Sequence, residues 1–324
     1  MSTTPGTHGG SDPVPNRIHA RPVPRPGRWI AAALLAVLAA MAVHGLITNP
    51  NYRWDVVWLY LRDVSVIRGV GWTLVLTFGS MVIGIVLAVI LAIMRRSDNP
   101  VLRSASWFYI WLFRGTPIYT QLVFWGLISV LYPTLSIGIP FGPEFYTFQT
   151  SMVITAFWAA LLGLGLNEAA YLAEIVRAGL GSVDKGQEEA ARALGMKEST
   201  ILRRIVIPQA MRVIVPPTGN ETISMLKTTS LVLAVPFTLD LTFATNAIGN
   251  RLFLPIPLLI VSAFWYLLIT SILMVGQHYL ERYYGKGTGE HAGGGKRKKR
   301  RFGRQSAIQA AGTAKDDPFL EVTP

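Results

Sequence analysis

The strongest constraint on this 324-residue chain is a set of apolar stretches long enough to cross a lipid bilayer. Roughly 20 consecutive apolar residues span a hydrocarbon core of about 30 Å. Such stretches run over 29–47, from about Trp72 to Met94, from beyond Pro117 to about Tyr132, and over about 151–166, 219–239 and 252–277. An aromatic-rich approach, Trp107 to Phe113, precedes the third, and the fifth is polar along one side. Inside hydrocarbon every backbone N–H and C=O needs a partner within the chain, so stretches of this length are expected to be helices. The expected fold is therefore an all-α membrane protein of about six transmembrane helices. Only 15% of the residues are charged, against about 25% in a typical soluble domain, which argues against an ordinary soluble enzyme.

Chemistry is narrowed by what the chain lacks. With no cysteine and five scattered histidines, the sequence offers neither a thiolate nucleophile nor a His-based metal cluster. The net charge of +12 would suggest a nucleic-acid partner if the basic residues formed one face of a folded domain, but they alternate with the spans instead. With six spans, 25 Lys and Arg fall in residues 1–28, 95–117, 174–217 and 279–324, whereas only Arg53, Arg62, Arg68 and Arg251 lie on the other side. By the positive-inside rule, both termini and the 174–217 loop are expected in the cytoplasm. The first span follows 28 mostly polar residues and is read as an uncleaved first helix rather than a signal peptide. Proline-rich residues 1–28 and the tail 283–324 are expected to be disordered. The run Lys296 to Arg301 in that tail reads as a solvated segment beside anionic headgroups, with no nucleic acid implied.

The most informative segment is the loop at 187–208. Gln187 to Leu194 is rich in good helix formers, and Gly195 suits the left-handed residue that stops a helix. A second short helix is expected to follow and to end near Pro208, with Ser199 available as a cap. This compact helix-turn-helix suits transmission of motion. Its Glu189, Ala190, Ala191, Gly195, Ile205 and Pro208 spacing resembles the EAA loop of ABC importer permease subunits. Phe113-Arg114-Gly115-Thr116-Pro117, the run Ala170 to Arg177, and Leu226-Lys227-Thr228-Thr229-Ser230-Leu231 narrow the resemblance to permeases for polar amino acids such as histidine, glutamate, glutamine, arginine and opines. The match covers roughly residues 65–280. Two positions depart from the family pattern: Thr228 stands where an acidic residue is frequent, and Lys197 where a small hydroxyl residue caps the second coupling helix.

The resemblance implies a type I importer permease of a bacterial cytoplasmic (inner) membrane. Residues 29–64 then form the first helix and outer loop, and 65–282 the permease core. The six loop residues named above would dock on a cytosolic ABC ATPase dimer. A second permease copy or paralogue and an extracytoplasmic solute-binding protein would complete the assembly. No Gly-x-x-x-x-Gly-Lys-Ser/Thr phosphate loop is present, so the chain is expected to be no enzyme and to carry no cofactor, with ATP and Mg bound by the partner ATPase.

Charges at membrane depth are costly and are functional candidates by default. Glu168 ends the fourth span and Lys227 lies in the fifth; Glu168 is open to a functional or a structural role, and Lys227 is expected in an ion pair or helix clamp. Asn220, Ser224, Lys227 and Thr228 fall at helical spacing as one polar stripe, which must face a cavity or a helix rather than lipid. Asn167, Glu168 and Tyr171 are placed beside it as a substrate pathway, in which Glu168 or its neighbours would meet an ammonium group. Ser80 with Gly84, and Gly163 with Gly165, are expected to let helices of this chain pack closely. The alternatives are an ion-gradient-driven secondary transporter or channel, and a membrane scaffold. The first gives no reason for the loop spacing, and the second predicts no solvated cavity and no need for Glu168 or Lys227 at depth.

Overall fold

The computed structural model describes residues 26–285. Both expected tails lie outside these residues except at their inner ends. The contacts divide the chain into two units, Met1–Trp54 and Asp55–Pro324. The first contains α1 (Pro26–Thr48), a helix exposed along its length from Gly27 onward, as suits apolar side chains facing lipid. Trp54 closes this unit by donating its indole N–H to the Leu46 carbonyl at 2.8 Å.

The second unit begins in α2 (Trp54–Tyr60) and is built around α3 (Val64–Arg96). Asp63 caps α3 by accepting from the Ser65 amide at 2.8 Å, and Arg95 and Arg96 complement the dipole at its far end. Next come α4 (Pro100–Gly115), started by Asn99 with Pro100 in the first turn, then α5 (Ile118–Gly126) and α6 (Ile128–Leu131). A hairpin follows, β1 (Thr134–Gly138) paired antiparallel with β2 (Glu144–Gln149), Thr134 opposite Gln149 and Ile137 opposite Tyr146. This hairpin is the departure from the all-helical expectation. Its strands read as part of a loop because each is only five or six residues long and mostly exposed, so no buried alternation marks them.

After α7 (Thr150–Val153) comes α8 (Ala156–Gly181), whose pairing with α3 is the broadest helix contact in the unit. Leu76 of α3, Leu122 of α5, Leu164 and Leu172 of α8 and Met225 further along form its buried core. The small residues serve this packing. A Cβ on Gly165 would lie 2.9 Å from Ile83 Cγ2, and one on Gly84 would lie 3.1 Å from Glu168 Cγ.

The remaining elements are α9 (Lys185–Ala193), α10 (Glu198–Ile201), α11 (Ile207–Thr228), α12 (Leu241–Leu252) and α13 (Pro255–Tyr284). Among the described residues, four helices are long and apolar enough to cross a membrane: Gly27–Thr48, Val64–Arg96, Ala156–Gly181 and Pro255–Tyr284. These carry the first, second, fourth and sixth expected spans. The third is broken at Leu127 between α5 and α6.

The fifth span differs in register. Its helix starts at Ile207 rather than near Gly219, and it passes into a 3-10 segment, Thr229–Ala234, before Pro236. The expected stop at Pro208 does not occur. Residues Leu202–Val206 form a π turn, in which the Ile207 amide reaches back to the Leu202 carbonyl, and the chain is continuously helical from Glu198 to Thr228. That wider turn makes room for the Pro208 ring, which in a regular helix would meet the Arg204 carbonyl. Deeper in the same helix, Pro216 and Pro217 leave the Arg212 and Val213 carbonyls without their helical donors, and the buried Gln277 amide of α13 donates to the Pro216 carbonyl at 2.7 Å. Gly219 leaves space for that amide, since a Cβ there would lie 1.8 Å from Gln277 Oε1.

Candidate functional site

A cavity of about 400 Å³ opens between the turn after α4, the first residue of α5, the middle of α8 and the last two turns of α11. Residues Arg114 to Ile118, then Asn167, Glu168 and Tyr171, then Glu221, Ser224, Met225 and Thr228 line it. Asn167 and Glu168 are brought to the cavity by the close α3–α8 packing at Gly84 and Gly165. Asn167 is pinned: its amide donates to the Phe113 carbonyl at 3.0 Å and to Gln121 Oε1 at 3.1 Å. Gln121 donates in turn to the Phe113 and Thr116 carbonyls and to the Thr116 hydroxyl. The Phe113–Pro117 turn is thereby fixed by two amide side chains from α5 and α8. Asn167 is thus a positioning group with both donors in use, and Gln121, buried in the first turn of α5, is a member that sequence reasoning missed.

Glu168 is only 5% exposed, and its Oε1 accepts no hydrogen bond among the described residues. Glu221, half-buried on α11, lines the same space. The polar stripe is therefore rotated from its expected place. Ser224 and Thr228 line the cavity, whereas Asn220 and Lys227 are exposed and do not. The lining positions 221, 224, 225 and 228 are themselves a helical face that shares 224 and 228 with the expected stripe 220, 224, 227 and 228 and takes in 221 and 225 in place of 220 and 227. Lys227 makes no ion pair among the described residues. Glu174 and Arg177 do pair, at 2.6 Å, three residues apart on α8.

The second candidate site is the hairpin of α9 and α10. Asp184 caps α9, and Gly195 ends it at φ +75°. The Gly195 amide bonds the Arg192 carbonyl at 2.9 Å and the Met196 amide bonds the Ala191 carbonyl at 3.1 Å, the paired bonds of a Schellman stop. The residues of the expected docking loop divide by role. Ala191 is buried and Ile205 half-buried in a small core with Val183, Ile201, Val206 and Ala210. Glu189, Ala190, Gly195 and Pro208 are exposed, as is Leu194 at the tip. Ser199 does not cap α10, because the helix already begins at Glu198; Lys197 occupies the cap without a side-chain bond. Arg192 bridges to Glu198 at 2.5 Å and to Glu188 at 3.4 Å, and Gln209 ties α11 to Gln187 at 2.6 Å. The result is a braced hairpin with a small-residue outer face.

The sequence model of the binding-protein-dependent transport system inner membrane component family matches residues 81–286, which span the cavity and the hairpin. The chain belongs to this family. Across 280 residues the permease is 50% identical to an arginine transport system permease protein of Corynebacterium glutamicum, covering 86% of this chain and 87% of the relative. It is 41% identical over 186 residues to an octopine transport system permease protein of Rhizobium meliloti, covering 56% and 71%. A crystal structure of an amino acid ABC transporter with histidines aligns at a TM-score of 0.55 and 34% identity, over 68% of the permease and 94% of that chain. The permease is accordingly a multi-pass membrane subunit of an ABC import system and not itself an enzyme. Membership favours this reading over the gradient-driven alternative.

Proposed function

We propose that this permease carries a polar amino acid with a cationic side chain through the cavity between α5, α8 and α11, driven by ATP hydrolysis in a partner ATPase dimer. The buried, unpartnered carboxylate oxygen of Glu168, with Glu221 across the cavity, is the observation that supports it. An acceptor pair at membrane depth is expensive unless a cation meets it. The transport of arginine named for the 50% identical relative fits that chemistry. Tyr171 and Ser224 add hydroxyls to the cavity, and Asn167 holds its wall. Asn220 and Lys227, one step round α11, are assigned to the path shared with a second permease copy or paralogue.

In this reading the hairpin, through Glu189, Ala190, Ala191, Gly195, Ile205 and Pro208, sits against the cytosolic ATPase, which binds ATP and Mg. Both termini lie on that face, and an extracytoplasmic solute-binding protein delivers substrate from the other. Uptake of labelled L-arginine by the reconstituted complex tests the assignment. Glu168→Gln and Glu221→Gln are each expected to lower transport about tenfold or more, the loss of one charge-assisted contact. Parental affinity and rate in both variants at normal expression would refute it.

A further inference from the structure

The acidic cavity explains one end of a zwitterionic substrate and leaves the other unanswered. A carboxylate placed against Glu168 and Glu221 is repelled, so it needs a cationic donor on the opposite wall. Of the twelve lining residues, Arg114 alone carries a positive charge. Among the described residues, the uncommitted neutral side-chain donors beside it are the Tyr171 and Ser224 hydroxyls, which carry no charge. Both Asn167 donors are taken by Phe113 and Gln121, the Thr116 hydroxyl donates to the Leu112 carbonyl, and the Thr228 hydroxyl donates to the Ser224 carbonyl. The Arg114 guanidinium is instead held by the ring of Tyr171, 5.2 Å from its centroid, a contact that positions the plane while leaving its five N–H groups uncommitted.

Arg114, Gly115 and Tyr171 also line a second cavity of about 650 Å³, with Arg95, Arg177, Glu174 and two stacked tryptophans, Trp107 and Trp111. Arg177 is neutralised there by Glu174. Arg114 therefore stands at the junction of an acidic and a basic chamber, with its fork free.

We infer that Arg114, seated on Tyr171, is the carboxylate-recognising residue of this permease and selects substrates bearing an α-carboxylate beside a cationic group. The inference rests on the acidic cavity being the substrate's, and the test separates the two. The permease is purified with its ATPase in mild detergent, without a binding protein, and calorimetry follows L-arginine, argininamide and agmatine. The parent is expected to bind arginine about tenfold or more tighter than either analogue, what one charge-assisted hydrogen bond provides. Arg114→Gln should abolish the preference for arginine, weakening arginine about tenfold or more relative to both analogues, because its carboxylate then meets the acidic wall without a counter-charge. Arg114→Lys, which keeps the charge and loses the fork, should fall between. Glu168→Gln and Glu221→Gln should weaken all three ligands and preserve their ratio.

Equal binding of the three ligands by the parent overturns the role of Arg114 while the acidic cavity stands; so does an undiminished ratio in Arg114→Gln. Should that variant not assemble, the ligand series on the parent protein still decides. Binding of none of the three to the parent complex overturns both readings.

Discussion

Single residues decide how closely these helices approach. A Cβ on Gly69 would lie 2.9 Å from Leu241 Cα and 3.0 Å from its amide nitrogen, and backbone atoms do not swing aside as a side-chain tip does. The same approach lets the Thr73 hydroxyl accept from the Leu241 amide at 3.2 Å. Gly69→Ala is therefore expected to destabilise the permease by about 1–3 kcal/mol, as overpacking does. Gly71→Ala, on the same helix with nothing within 4 Å of the new Cβ, should cost nothing. Thermal denaturation of the two variants in detergent checks the contrast. The Ser80–Gly84 and Gly163–Gly165 spacings were legible because they repeat along one helix. Gly69 was not, because its neighbour lies 172 positions away and no local pattern announces it. Glu221 was missed for a different reason: two polar faces overlap at Ser224 and Thr228, and helical spacing alone does not say which one turns inward.

At the scale of elements, the hairpin was readable where its chemistry is local. The stop at Gly195 depends on one residue tolerating a positive φ, and the Schellman bonds follow from it. The continuation through Pro208 depends on a π turn, which no residue type in Leu202–Val206 specifies. The hairpin also makes a pH prediction. The hydrogen bond from the Arg192 guanidinium holds the Glu198 carboxyl below its ordinary value. A depressed folded value means that the bridge's contribution is present above the ordinary carboxylate range and disappears as pH falls through the depressed one. Arg192→Ala should return the Glu198 carboxyl toward its ordinary value, read by carbon NMR titration of the labelled side chain. Because both partners are exposed, the variant should change stability little.

For the whole molecule, transport requires that the hairpin and the cavity act together. Gly195→Asp places a side chain at φ +75°, on the exposed face proposed for docking. The variant is expected to insert normally and to lose the ATPase on purification from its host, or to keep it and fail to transport. Co-purification with quantitative mass spectrometry, followed by substrate-stimulated ATPase assay, checks this; full coupling would count against the docking role. Helical class, membrane character and family were legible at this scale because span length and loop spacing survive without tertiary detail. The breaks in the third and fifth spans were not, since apolar length does not reveal where a backbone bends back on itself.

The unbroken helix from Glu198 to Thr228 has a mechanical consequence. Near its middle it is pressed against α8, where a Cβ on Gly179 would lie 2.2 Å from Ile214 Cγ1. At about 1.5 Å per residue, the hairpin end lies roughly 22 Å to one side of Ile214 and Glu221 roughly 10 Å to the other. With a π turn on one side of that point and Pro216 and Pro217 on the other, the helix is two arms joined at a bearing and not one stiff rod. In the docking proposed above, a displacement of the hairpin reaches the Glu221 arm through that bearing, where the Gly179 contact leaves no slack.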